Sequence, residues 1–342
     1  MAQASLTAPA TPAPPSRAER GRSASTFIRS AIQRREATVV AVTLGVVIYF
    51  GIASSAFFTT ANIVTIAQYI ASITIIGAGE VLILVLAEID LSAGQVYLTS
   101  PWFMYLLWRA GLPLGWAIAL TLVFCIIIGL INGVVTVWLN VPSLIVTLGM
   151  TYALLGLVLV ESNAIQVNTP GATGRFGWAF GIGSWSTILW ALGILIIGWI
   201  ILKRTRFGLH ITATGGNLIG AAEAGVPVRR IKVYCFMLIS LAAGFIGILD
   251  AIRIQSMNPG NSGLDIVLPG IVAAVVGGTA LTGGRGTMVG TAIGAIFLGV
   301  LEDGFNLIGV SANWFYLAEG VVILIAMVAN TQLTSLAARL RR

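Results

Sequence analysis

The chain has very few charged residues for its length of 342 residues. Asp, Glu, Lys and Arg together make up 9% of it, apolar residues make up 57%, and the mean hydropathy is +0.97. A soluble globular domain carries about 25% charged residues. Because so few charges cannot cover a water-exposed surface, the composition excludes an ordinary soluble protein and indicates that lipid surrounds most of the chain.

The residue types on which most catalytic and metal sites depend are also scarce. The chain has one histidine, His210, and two cysteines, Cys125 and Cys235, both in apolar runs. It contains no HExxH, GxSxG, CxxC or GxxxxGK[ST] motif, so neither a metal site nor a nucleophile–base pair nor a P-loop for ATP is predicted. We therefore expect no catalytic residue and no bound cofactor or metal, and we expect no nucleic acid among the partners.

Long apolar runs dominate the rest of the sequence. About ten of them have the length of a membrane helix, roughly 20 residues, whereas barrel strands would alternate over about 10 residues. The sequence therefore predicts an all-α polytopic membrane domain at 36–332, between a disordered basic tail at 1–35 and a basic C-terminus at 333–342. The predicted spans are 38–57, 63–86, 93–108, 114–139, 143–160, 186–202, 233–252, 264–281, 287–301 and 314–329.

The distribution of basic residues predicts that both termini lie in the cytoplasm. With the N-terminus inside and ten alternating spans, all but three of the 19 Lys and Arg residues fall on the inner side. The exceptions are Arg109, Arg175 and Arg253. This bias is the one that positive-inside sorting produces.

The largest predicted inner loop, 203–232, is basic and mostly polar, and it contains one very short predicted helix. Asn217 is a good N-cap, Gly225 is a C-terminal stop, and Pro227 prevents continuation. Because the chain has no site for an energy-yielding reaction, we interpret this segment as the connection between a transport channel and a motor on another chain. The residues assigned to this contact are Gly215, Gly216, Asn217, Gly220, Ala221, Ala222, Glu223 and Gly225.

Two carboxylates, Glu80 and Glu319, fall inside predicted spans, where charge is costly and usually functional. One interpretation makes them the proton-coupling groups of a secondary transporter. The milder interpretation, which we favour, has them protonated or hydrogen-bonded where helices meet. Asn132 and Asn306 either line a polar pathway or join helices by hydrogen bonds.

Glycine is abundant, with 40 residues, and some glycines recur at the four-residue spacing of close helix packing. Gly286, Gly290 and Gly294 form one such series, and Gly129 and Gly133 form another. Both series predict that two helices approach closely.

Four blocks of the sequence have a familiar form and order. They are EIDLSAGQVYLTS (88–100), NGVVTVWLNVPSLIVTLGM (132–150), TRFGLHITATGGN (205–217) followed by AAEAGVPVRRIKVY (221–234), and VVGGTALTGGRGTMVGT (275–291). Together they resemble the ribose/xylose-type membrane subunit of bacterial ATP-binding-cassette sugar importers, over about 38–329. Many members have two glycines before the IDLS motif, whereas this chain has Ala87 and Glu88, which leaves the identity of the sugar open.

The resemblance implies a permease subunit of the bacterial inner membrane that moves a monosaccharide or sugar-like solute inward by alternating access. It implies as partners an ATPase that binds ATP and Mg²⁺, a periplasmic or lipid-anchored binding protein, a second permease copy, identical or related, and membrane lipid. With the intramembrane polar residues above, the motif or pathway residues are Glu80, Asp90, Ser92, Asn132, Ser143, Thr147, Asn306 and Glu319. The structural glycines are Gly277, Gly278, Gly283, Gly284, Gly286, Gly290 and Gly294.

Overall fold

The computed structural model describes residues 35–171, 174–183, 185–311, 313–314, 316–318, 320–321 and 324–325. Its main helices are α1 (Arg35–Ala53), α2 (Thr60–Val85), α3 (Ser92–Arg109), α4 (Leu114–Trp138), α5 (Ser143–Ser162), α6 (Ser186–Arg204), α7 (Arg206–Gly216), α8 (Leu218–Glu223), α9 (Val228–Ile254), α10 (Leu264–Val276) and α11 (Met288–Leu307). Short helical turns at Gly174–Gly177 and Trp178–Ile182 precede α6. Residues 1–34, the predicted C-terminus at 333–342 and Glu319 lie outside the described residues.

Six of the described helices are long and apolar enough to cross a membrane, namely α2, α4, α5, α6, α9 and α11. Two further apolar helices are shorter, α10 and the part of α1 at Val39–Ala53. The predicted third span corresponds to α3, which is less apolar than these six and contains Pro101. The chain is therefore an all-helical, multi-pass membrane protein, and the count of ten spans stays a prediction.

The most deeply buried helix is α2, which contacts α6, α9, α10 and α11. In its most apolar stretch 83% of the residues are buried, against 28% in α5 and in α6. Glycines allow this dense packing: a Cβ added at Gly79 would lie 2.9 Å from Ile239 of α9, and one at Gly77 would lie 3.1 Å from the Gly270 carbonyl of α10. Close approach of backbones is how membrane helices associate without a hydrophobic driving force.

The most extensive helix contact joins α9 to α4, and two glycines of α4 make it close. A Cβ added at Gly129 would lie 2.4 Å from the Phe236 carbonyl oxygen, and one at Gly133 would lie 2.8 Å from Val233 Cα. On another face of α9, a Cβ at Gly247 would meet the backbone of α3 at 2.1 Å. These helices therefore meet backbone to backbone.

The sequence predicted that Gly286, Gly290 and Gly294 allow two helices to approach closely. This prediction is correct for Gly290 and Gly294. A Cβ at Gly290 or Gly294 would lie 1.8 or 2.3 Å from carbonyl oxygens at the end of α10. Gly286, however, lies before α11, which begins at Met288 because the side chain of the preceding threonine accepts a hydrogen bond from the Gly290 N–H and caps the helix. Gly286 packs instead against Val85 of α2.

Candidate functional site

The basic segment at 203–232 contains two helices rather than the single one that the sequence predicted. α6 continues to Arg204 and α9 begins at Val228, and α7 and α8 lie between them. α7 begins after Thr205, whose side-chain oxygen accepts a hydrogen bond from the Gly208 N–H at 3.1 Å. This threonine N-cap is the signal that could have revealed α7 in the sequence.

The short helix α8 and both of its predicted ends are confirmed. The Asn217 side-chain oxygen accepts a hydrogen bond from the Gly220 N–H at 2.9 Å. At the other end the Gly225 N–H donates to Ala222 O and the next N–H donates to Ala221 O, both at 3.0 Å, while Gly225 has a φ of +82°. This pair of bonds around a left-handed glycine is a Schellman motif, so α8 is held at both ends by its own sequence.

One side of α8 is exposed and partly apolar. Leu218 and Ile219 are 47% and 71% exposed, and Ala222 and Glu223 beside them are exposed as well. We call these four residues the α8 tip. Ala221, also assigned to the contact with a motor, is buried against its own chain instead. Two large apolar side chains are therefore exposed next to each other on this short capped helix.

The end of α7, which leads into α8, contacts the end of α2 and the turn that follows α10. The Gly284 N–H donates to the carbonyl oxygen of Val85 at 2.8 Å. A Cβ added at Gly215 would lie 1.6 Å from the same oxygen, and one at Gly283 would lie 2.7 Å from the Gly215 carbonyl. Gly283 and Gly284 also have positive φ angles of +84° and +75°, which glycine adopts without strain. Only glycine fits at positions 215, 283 and 284. We call these three glycines together with Val85 the α8 base.

The residues of the IDLS block meet α4 through a buried set of hydrogen bonds. Asp90 Oδ1 accepts hydrogen bonds from the Ser92 N–H at 2.9 Å and the Ser92 hydroxyl at 2.6 Å. The Asn132 side-chain amide of α4 donates to Ser92 Oγ at 2.7 Å. All three side chains are buried. The first and second sequence blocks therefore meet in the folded chain.

The same turn is also held by the start of α5. The Ile89 N–H donates to Ser143 Oγ at 3.3 Å, and the Leu91 N–H donates to Thr147 Oγ1 at 3.2 Å. Five of the predicted motif residues thus come together, and we call them the turn cluster: Asp90, Ser92, Asn132, Ser143 and Thr147. Its chemistry is that of a hydrogen-bonded link between the α2–α3 turn, α4 and α5.

Two buried carboxyl groups, Asp90 of the turn cluster and Glu80 of α2, have different surroundings. Burial raises the pKa of Asp90 to about 6, although the hydrogen bonds from Ser92 act in the opposite direction. Glu80 lies fully buried in α2, and neither of its carboxyl oxygens has a hydrogen-bond partner among the described residues. Glu80 is thus buried among packed helices, and whether its carboxyl group is protonated or hydrogen-bonded there stays a prediction.

The remaining predicted site residues do not join this set. Asn306 is exposed in the last turn of α11, an element that contributes nothing to the turn cluster. Glu319 lies outside the described residues. Within the described ranges no three His, Cys, Asp or Glu side chains come together in a way that could hold a metal ion.

An ion pair between Lys232 and Glu88 was not predicted from the sequence. Lys232 lies in the first turns of α9, and Glu88 lies in the turn that leads to Asp90, 144 residues away along the chain. The two side chains are only 17% and 14% exposed. Glu88 is the residue that departs from the family pattern, and this departure was the available signal. The pair joins the segment that holds α8 to the turn cluster.

A second missed set of polar residues joins α9 to α2 and α3 near the other end of α9. The buried Asp250 carboxylate accepts hydrogen bonds from Ser72 at 2.7 Å, from the Tyr97 hydroxyl at 3.0 Å and from the Arg253 guanidinium at 2.9 Å. Arg253 also donates to Gln68 at 3.1 Å. A charged pair three residues apart in an apolar run was the sequence signal for this contact.

The chain is similar in sequence to known transport proteins. A family model described as the permease component of branched-chain amino acid transport systems matches residues 62–327. The xylose/arabinose import permease of Sulfolobus acidocaldarius is 34% identical over 312 residues, which cover 89% of this chain and 86% of that protein. The ribose import permease of Escherichia coli strain K12 is 35% identical over 282 residues, 81% of this chain and 87% of that protein.

A third relative, the fructose import permease of Rhizobium meliloti, is 30% identical over 311 residues, 88% of this chain and 86% of that protein. No solved structure matches the chain significantly. The chain belongs to this family of transport permeases, and it is the membrane-spanning permease subunit of an importer. The alternative of a proton-coupled secondary transporter built on Glu80 and Glu319 is not favoured by these relatives.

Proposed function

We propose that the chain translocates a monosaccharide or sugar-like solute into the cytoplasm, by alternating access, with energy from ATP hydrolysed on partner subunits. The relatives named for xylose, arabinose, ribose and fructose support a pentose or hexose as the solute. A periplasmic or lipid-anchored binding protein delivers the solute, and a second permease copy completes the pathway. ATP and Mg²⁺ belong to the ATPase, and this chain binds no cofactor.

The observation that carries the proposal is the α8 tip on its glycine base. The tip offers the ATPase an exposed apolar contact, with Ile219 at its centre. Displacement of α8 would reach the end of α2 through Gly215 of the adjoining α7, whose backbone packs against the Val85 carbonyl. The turn that follows α2 carries Glu88, which is paired with Lys232 of α9, and Asp90 of the turn cluster. Closure of the ATPase against the tip would therefore reach the interior of the helical bundle.

The finer architecture follows the positive-inside bias. We infer ten spans with both termini in the cytoplasm, and the bacterial inner membrane as the location. The exposed Lys203, Arg204, Arg229 and Arg230, which flank α7 and α8 along the chain, then lie on the cytoplasmic side. In this arrangement the Asp250 contacts lie toward the side from which the solute arrives.

Uptake of radiolabelled ribose, xylose and fructose into proteoliposomes tests the proposal, with the permease, its ATPase and its binding protein reconstituted together. We expect uptake only with ATP, and we expect Ile219→Asp to reduce it at least tenfold because a charge enters an apolar contact. The matched control is Ile165→Asp, also an exposed isoleucine at 64%, in the loop after α5. Uptake that continues without ATP, or equal loss in both variants, would contradict the proposal.

A further inference from the structure

Three side chains on one face of α3 bury polar atoms that have no hydrogen-bond partner. They are Gln95, Thr99 and Trp102, which follow one another at the spacing of one helix face, and none is more than 5% exposed. Among the described residues nothing bonds to either polar atom of the Gln95 amide, to the Thr99 hydroxyl or to the Trp102 indole N–H. Buried polar groups without partners destabilise a fold. Three of them on one face therefore indicate that something other than this closed chain supplies their partners.

This face of α3 is turned toward α5. At its start, the Leu91 N–H donates to Thr147 Oγ1 of α5, which lies 56 positions further along the chain. About three turns later, Trp102 lies in one buried cluster with Val158 of α5, at the same offset. The two helices therefore run parallel and keep one register along this length.

The register brings a polar group of α5 to the same level as the α3 face. Thr151 lies level with Gln95, is buried, and shares the α5 face of Thr147. Its hydroxyl donates to the Thr147 carbonyl of its own helix at 2.8 Å, which leaves the oxygen able to accept a further hydrogen bond. We call Gln95, Thr99, Trp102 and Thr151 the polar seam.

The polar seam offers hydrogen-bond donors and acceptors but contains no charged side chain. The Gln95 amide and the Thr99 hydroxyl can both donate and accept, and the Trp102 N–H donates beside an aromatic ring. A metal cation would meet these N–H donors, and an anion would find no positive charge in the seam. Hydroxyl groups of a neutral solute donate and accept at the same atom, so they match the seam best.

We propose that the solute crosses the membrane along the polar seam, which opens when α5 moves away from α3, and that its hydroxyl groups bond to Gln95, Thr99 and Trp102. This inference rests on the proposed function, from which it takes the solute class and alternating access. The seam starts at the turn cluster, because Thr147 holds the turn at Leu91. Displacement that reaches this turn would therefore act on the end of the seam.

The reactivity of Thr99→Cys tests whether the seam opens. In proteoliposomes with the ATPase and the binding protein, a small water-soluble methanethiosulfonate should modify this cysteine at least tenfold faster during ATP turnover than without ATP, because a thiolate forms and reacts only in contact with water. Thr121→Cys is the matched control, since Thr121 is a buried threonine of α4 whose hydroxyl donates to the Ala117 carbonyl of its own helix. It should react equally slowly in both conditions. Gln95→Cys provides a second reporter in the same seam.

Thr99→Val and Gln95→Leu test contact with the solute. Each removes hydrogen-bonding groups at similar size, and each should lower sugar uptake about tenfold while ATP hydrolysis stimulated by the binding protein continues. Their unfolding midpoints should equal or exceed that of the wild type, because no hydrogen bond within the chain is lost. Thr121→Val should leave uptake unchanged.

Three results would overturn the polar seam as the pathway. The first is modification of Thr99→Cys and Gln95→Cys no faster than that of Thr121→Cys during turnover. The second is unchanged uptake in both Thr99→Val and Gln95→Leu, which would leave the seam to water alone. The third is a fall of their unfolding midpoints together with uptake, which would indicate a structural role. Failure of the proposed function is distinct, because the wild type would then take up sugar without ATP.

Discussion

At the scale of single residues, Asp90 shows how a buried acid can serve as a structural acceptor. Its Oδ1 takes both the backbone N–H and the hydroxyl of Ser92, and Asn132 completes the link to α4. Burial nevertheless raises the pKa of Asp90 to about 6, because the charged form is removed from water. Near neutral pH the fold therefore carries the cost of a buried charge at this position.

Asp90→Asn should remove that cost while keeping the oxygen that Ser92 contacts. A folded-state pKa of about 6, above the unfolded value near 3.9, means that the folded state binds more protons between these two values. The Asp90 contribution to the free energy of unfolding therefore falls as pH rises through this window, by about 3 kcal/mol in total. We expect Asp90→Asn to gain stability relative to the wild type as pH rises from 4.5 to 7.5.

Thermal unfolding midpoints of both proteins in detergent, measured at several pH values, check this expectation. Asp265→Asn is the matched control, because Asp265 is exposed at the start of α10. A difference between Asp90→Asn and the wild type that does not change with pH would show that Asp90 is not the titrating group.

At the scale of elements, the short helix that was predicted, α8, and the one that was missed, α7, differ in how their sequences encode them. α8 carries both of its end signals in a few consecutive residues, Asn217 before it and Gly225 after it, so a local reading was sufficient. α7 has its capping threonine but little apolar sequence, and it is held by contacts with α6 and α9. Propensity alone rarely identifies a helix whose stability comes from tertiary packing.

Contacts between distant parts of the chain could not be predicted from the sequence for a different reason. The Lys232–Glu88 pair joins residues that are 144 positions apart, and nothing local to either one indicates the partner. The four blocks predicted that their residues matter, but not that Ser143 and Thr147 hold the backbone of the turn at Ile89 and Leu91. Which surfaces meet is decided by the packing of whole helices.

Exchange of the charges in the Lys232–Glu88 pair provides a test at this scale. Glu88→Lys or Lys232→Glu alone places two like charges together at partly buried positions, and breaking a buried pair costs about 3–5 kcal/mol, less here because both side chains are partly exposed. Each single variant should lower the unfolding midpoint and the ATPase stimulation by the binding protein, and the double variant should restore both.

The control for the charge exchange is Arg230→Glu, which reverses an exposed charge in the same turn of α9. It should change neither quantity by much, because exposed charges contribute little to stability. If the double variant is no better than the worse single variant, the two side chains do not act as a pair.

At the scale of the whole molecule, composition was enough to predict an all-helical, multi-pass membrane protein. The lengths of the apolar runs identified six helices, because each of them is long enough to cross a membrane by itself. They are α2, α4, α5, α6, α9 and α11. The orientation rests on charge bias alone, since the fold of a helical bundle is the same whichever side faces the cytoplasm. Which side carries α8 is therefore a question for experiment.

Labelling of a cysteine at Glu223→Cys with a membrane-impermeant maleimide answers that question. We expect no labelling in intact cells and full labelling after permeabilisation, because the α8 tip is exposed and is predicted to face the cytoplasm. Ile165→Cys, in the loop on the opposite side, should react in intact cells. The wild-type chain gives the background, since Cys125 and Cys235 are both buried. The reverse pattern would invert the predicted topology.

The glycine contacts between α2, α3, α4 and α9 have a mechanical consequence. Where helices approach this closely, few side-chain atoms lie between them to absorb a shift, so we expect these four helices to move together. The main contacts of α5 among the described helices are with α3 and α4, and 28% of its most apolar stretch is buried, so we expect it to shift more easily. The push on α8 that we propose would enter this block through Gly215 of α7 and Val85 of α2, where main chain again meets main chain.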